Sequence, residues 1–74
     1  MLAISKAGHD KGKLYYILKE EGEILYLADG ITRTEDHPKK KKRKHTEPVR
    51  DDTVPANNEE IRQLVRKKTK DMGL

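Results

Sequence analysis

Glycine and lysine crowd one short stretch, Ser5-Lys6-Ala7-Gly8-His9-Asp10-Lys11-Gly12-Lys13. Two glycines bracket Asp10, so the backbone there can turn tightly and come close to a phosphate or ribose with no Cβ in the way. Lys6, Lys11 and Lys13 stand around that turn as possible phosphate partners. Taken alone, it reads first as a plain solvated hairpin. A second cationic stretch, Lys39-Lys40-Lys41-Lys42-Arg43-Lys44, follows Pro38 and ends in His45. Six like charges in a row repel one another unless something anionic is present, so the chemistry it offers is neutralisation of a polyanion.

Catalytic chemistry has no foothold. His9, His37 and His45 are scattered, with no partner at metal-ligand spacing, and read as solvated loop residues. The acidic pairs Glu20-Glu21, Glu35-Asp36, Asp51-Asp52 and Glu59-Glu60 fall at turns or at a helix start, where nothing tunes a carboxylate for acid–base work. Ser5 has no identifiable base. The chain has no cysteine, which excludes a disulfide framework and a thiolate metal site. The expectation is a non-enzymatic protein with no cofactor, no metal and no small-molecule substrate.

Strands and turns must position the cations. Of 24 apolar residues, 15 lie between Leu2 and Ile31, and from there to Val49 there is none. Leu2-Ala3-Ile4, Leu14-Tyr15-Tyr16-Ile17-Leu18 and Ile24-Leu25-Tyr26-Leu27-Ala28 are short runs rich in strand formers, separated by glycine turns at Gly8–Gly12 and Gly22 and closed by Asp29-Gly30. They predict a small antiparallel barrel of three to five strands, with His45–Val49 as a last edge strand ended by proline. Both longer runs are apolar at consecutive positions, so no tyrosine can be assigned to a face; Tyr15, Tyr16 and Tyr26 read first as core or half-buried packing, not as base-stacking groups.

Thr34 to Lys44 is expected to stay outside any core, as a basic arm over 38–45. Residues 50–56 read as a linker and 57–74 as a helical tail. Ile61, Leu64, Val65 and Met72 share one helix face, Asn57 with Glu60 makes a capping-box-like start, and Gly73 is a plausible stop. With a polar linker and a stripe of four apolar residues, the tail is expected to be tethered loosely in the free protein.

The charge is local. Met1–His37 carries five Lys/Arg against seven Asp/Glu, Pro38–Arg50 seven against one, and Asp51–Leu74 five against five, for a net +4. Leu, Ile and Val total 15 of 74 residues, so the core is small. It would supply roughly 3–5 kcal/mol, too little to hold a deep preorganised pocket. No run approaches the roughly 18 apolar residues of a membrane span, and Met1-Leu-Ala-Ile-Ser is too short for a signal peptide. A soluble intracellular protein, cytoplasmic and away from membranes, is the expectation.

In context the stretch "SKAGHDKGKLYYIL", the glycine hairpin, "ILYLADG" and "PKKKKRKH" resemble the KOW-domain RNA-binding proteins, in particular the fourteen-e type of large-subunit ribosomal protein and its small bacterial relatives. The shared features are the glycine–lysine turn feeding an apolar strand, the "ADG" turn followed by Arg33, and the basic run ending in histidine. The tail "NNEEIRQLVRK" is similar to the C-terminal helix of the bacterial relatives. The resemblance covers about residues 2–49 closely and 57–68 more loosely. This chain departs from the family in having Tyr15 and Tyr16 where many KOW motifs carry a further glycine, and in a first strand that begins late. The resemblance implies a mainly β fold, a small SH3-like (KOW-type) barrel over 1–49 with a C-terminal α-helix, that binds structured RNA, foremost rRNA, beside ribosomal proteins. The site residues it implies, together with the cations, are Lys6, Gly8, His9, Lys11, Gly12, Lys13, Arg33, Lys39, Lys40, Lys41, Lys42, Arg43, Lys44 and His45. Two alternatives stand beside it. "PKKKKRK" also resembles a nuclear-localisation run, and the apolar face of the tail would suit a protein-interaction adaptor.

Overall fold

The computed structural model describes residues 1–74. Five strands form one antiparallel sheet: β1 (Leu2–Ser5), β2 (Leu14–Glu21), β3 (Ile24–Ala28), β4 (Lys39–Lys42) and β5 (Thr46–Val49). Their spatial order is β4-β3-β2-β1-β5. A 3-10 turn, Arg43–His45, links β4 to β5, and helix α1 (Asn58–Asp71) ends the chain. The fold is mainly β, with an SH3-like strand arrangement and a C-terminal helix. The sheet is not closed, because β4 and β5 remain its two free edges.

Strand register explains why the apolar runs do not alternate. Leu2 pairs with Tyr16, Ala3 with Tyr15 and Ile4 with Leu14, and neighbours along a strand point to opposite faces. One set, Ala3, Tyr15, Leu25 and Leu27, packs on the inner face with Ile17 beside it. The other, Leu2, Ile4, Leu14 and Ala28, packs on the outer face against Ile61 and Val65 of α1. Both faces of the central strands are buried, so both parities are apolar. A bulge between Ile17 and Lys19 shifts the β2–β3 register, and both sides of it remain paired.

The helix is therefore docked, not loosely tethered. Ile61 is wholly buried and Val65 nearly so, while Met72, the fourth residue of the stripe, is 40% exposed. Gly30 makes the close fit possible. It has φ +81°, and a Cβ there would lie 2.3 Å from the Asn58 carbonyl oxygen and 2.6 Å from the Arg62 nitrogen. The Asn57 side chain accepts from the Glu60 N–H at 2.9 Å, and Glu60 reaches back to the Ala56 N–H at 3.0 Å, a shifted capping box. Two further ties cross the linker and the β3–β4 loop: Lys68 Nζ to Asp51 Oδ2 at 3.3 Å, and the Glu35 N–H to Asn58 Oδ1 at 2.9 Å.

The basic run is likewise not a free arm. Lys39–Lys42 pairs residue for residue with Leu27, Leu25 and their neighbours as edge strand β4. The pleat divides its charges, turning Lys39 and Lys41 to the inner face and Lys40 and Lys42 outward.

Candidate nucleic-acid interface

The anion that lets four lysines share a strand lies inside the molecule. Asp10, carried on the β1–β2 turn, receives Lys41 Nζ on Oδ1 at 3.1 Å and Lys39 Nζ on Oδ2 at 3.2 Å. The Ser5 hydroxyl donates to Oδ1 at 2.7 Å and the Tyr15 hydroxyl to Oδ2 at 2.8 Å. Burial alone would raise the Asp10 pKa, but the bonds from Ser5, Tyr15, Lys41 and Lys39 prevail and hold it well below the usual carboxylate range. Burial and the same carboxylate push the Tyr15 phenol upward. Lys41 Nζ also donates to the Ala7 carbonyl at 2.8 Å, so this one side chain clamps the turn to the edge strand.

A second carboxylate organises the β3–β4 loop. Asp29 accepts from the backbone N–H groups of Ile31 and Arg33, each at 2.9 Å, and from the Thr32 hydroxyl at 2.9 Å. Lys13 Nζ closes the set at 2.7 Å. Burial opposes ionisation here too, but Lys13 and the Arg33, Ile31 and Thr32 donors hold the pKa low. No buried polar side-chain atom in the molecule lacks a partner.

The fourteen residues singled out from the sequence accordingly separate into groups. Lys39 and Lys41 are committed to Asp10, Lys13 to Asp29, and Arg43 to Glu20 at 2.6 Å and to the Gly22 carbonyl at 3.1 Å. Lys6, Lys11, Arg33, Lys40, Lys42 and Lys44 are exposed, and none forms an ion pair. His9 and His45 are exposed as well. The Lys6 N–H donates to the His45 carbonyl at 2.8 Å, which sets the glycine–lysine turn beside the 3-10 turn that carries Lys44. Gly8 and Gly12 both have positive φ. At Gly12, φ is +90° and a Cβ would meet no atom within 4 Å, so the backbone angle, not an obstructed hairpin, demands glycine there.

Sequence reasoning passed over the outer face of β2–β3–β4. Tyr26 projects there, half-exposed and outside both core clusters, while Tyr15 is buried and Tyr16 packs beside the helix. Lys19 Nζ and Lys40 Nζ stand 5.5 and 5.6 Å from the Tyr26 ring centroid. Alternation around the bulge could not be read from the sequence, since Leu18 interrupts the parity that would have placed Lys19 beside Tyr26. No family model matches the chain, and no curated protein matches it.

Proposed function

We propose that the protein is a non-enzymatic RNA-binding protein that associates with the ribosome or its assembly, gripping structured RNA by its phosphates. One observation carries this reading: the fold neutralises Lys39 and Lys41 internally and leaves Lys40, Lys42 and Lys44, with Lys6 and Lys11, exposed and without acidic partners. A polyanion would supply what the fold withholds, and release of its counterions would drive binding. The SH3-like strand order and the positive-φ glycine turn agree with the KOW-type resemblance of residues 2–49. Ribosomal RNA is the partner expected, and the cytoplasm the place.

Sucrose-gradient fractionation of a lysate from cells that express the chain, followed by crosslinking and RNA sequencing, tests the reading. The protein is expected to sediment with ribosomal subunits or their precursors and to crosslink to rRNA. Migration only with free protein at low salt would sink it.

A further inference from the structure

We propose that the outer face of β3–β4 is a stacking site for a single unpaired base of the bound RNA, with the base on the Tyr26 ring and the adjoining phosphates on Lys40 and Lys42; this rests on the RNA-binding reading above and deepens it. The helix covers the outer face over Leu2, Ile4, Leu14 and Ala28 and leaves Ile24 and Tyr26 outside the packed cluster. On β2, Lys19 and Glu21 border this uncovered patch; on β4, Lys40 and Lys42 do, paired in register with Tyr26 and Ile24.

Charge selects the occupant. Glu21, the one acid on the patch, is engaged by Lys19 at 3.5 Å. Lys40 and Lys42 form no ion pair, so the β4 side of the patch carries two uncompensated cations beside an aromatic ring and an aliphatic side chain. An apolar protein partner would have to desolvate those ammonium groups without return. A nucleotide answers both features, since its base offers a π face to the ring and its phosphates offer charge to the lysines. A base inside a duplex cannot reach the ring, so the nucleotide must be bulged or in a loop. A single ring accommodates a single base, and the remaining cations hold the flanking structured RNA.

Two labelled RNA hairpins of equal length, one continuously paired and one with a single-nucleotide bulge, provide the test by fluorescence anisotropy at low salt. The wild type is expected to bind the bulged hairpin about tenfold more tightly, Tyr26→Leu to lose that preference, and Tyr26→Phe to keep it within about twofold. The salt slope should be unchanged in Tyr26→Leu, because no phosphate contact is removed. Ultraviolet crosslinking of the bulged hairpin to the unaltered protein, mapped by mass spectrometry, should mark Tyr26. Equal wild-type affinity for the two hairpins, a preference that survives Tyr26→Leu, or crosslinks confined to other residues would each overturn the stacking site while leaving phosphate binding in place. No binding to either hairpin would overturn the RNA-binding reading itself.

Discussion

Asp10 is the residue on which the basic strand depends. Its carboxylate is 11% exposed, as is the side chain of Lys41, with Lys39 at 28%. Removing one partner of such a cluster leaves buried charge uncompensated, a loss of roughly 3–5 kcal/mol in a dry site, and partial exposure of Lys39 reduces that to about 2–3 kcal/mol here. Asp10→Asn keeps an acceptor for only one of the Ser5 and Tyr15 hydroxyls and strands two ammonium groups, so its melting temperature at pH 7 should fall well below that of the wild type. The pH dependence has a definite sign. A carboxylate held lower in the fold than in the unfolded chain contributes its full stabilisation above the unfolded value of about 3.9, and that contribution is lost as pH falls through that value toward the folded one. The wild-type advantage over Asp10→Asn should therefore be constant from neutrality down to about pH 5 and shrink below pH 4. Thermal melts of both proteins across that range check this, and a gap that stays constant down to pH 2 would mean the ion cluster is not its source.

Among the elements, α1 shows what packing adds to pattern. Its apolar stripe, the Asn57 cap and the Gly73 stop are local signals and can be read along the chain. Its docking is not local, because the deciding contact joins Gly30 to the backbone of Asn58 and Arg62. In the sequence Gly30 reads only as the end of a turn. Strand β4 was illegible for the opposite reason: lysine is a poor strand former, and the pairing with Ile24–Leu27 and the Asp10 counter-charge come from distant positions. An all-lysine edge with two inward charges also discourages pairing with a second chain. The strands β1, β2 and β3 were legible as runs, but their face assignment was not, since the helix buries the side that would otherwise be polar. Gly30→Ala places a Cβ against helix backbone that cannot swing aside as a side chain could. Hydrogen exchange should show residues 61–68 protected in the wild type nearly as well as residues 14–28, and strongly unprotected in Gly30→Ala. Unchanged protection in the variant would show that the helix is held elsewhere. Ile61→Ala, which removes a fully buried side chain, should cost about 2–5 kcal/mol by the same route.

At the scale of the whole molecule, the question is how a protein 27 × 25 × 22 Å in extent with a net charge of only +4 can hold a polyanion. The answer is distribution: four acids of the sheet region are spent within the fold, Asp10 and Asp29 on Lys39, Lys41 and Lys13, and Glu20 and Glu21 on Arg43 and Lys19, while Lys40, Lys42 and Lys44 form no ion pair. The number of phosphates engaged should then follow the unpaired lysines of the glycine–lysine turn and the basic run and not the length of that run. Five contacts, from Lys6, Lys11, Lys40, Lys42 and Lys44, give a log–log salt slope of about −3.5 to −4.5 with structured RNA, between the single-strand and duplex coefficients. Replacing Lys40, Lys42 and Lys44 with Gln should flatten the slope by about 2 to 3 units. Replacing Lys39 and Lys41 with Gln should do something different, lowering the melting temperature while leaving the slope within about half a unit of the wild type, because those charges are already spent on Asp10. Both variants carry Lys→Gln changes within the basic run; on β4 they alter opposite faces, and the outer set adds Lys44 of the 3-10 turn. Anisotropy titrations at several salt concentrations separate them, and equal flattening by the inner and outer sets would mean that RNA draws Lys39 and Lys41 away from Asp10 and reads the whole basic run.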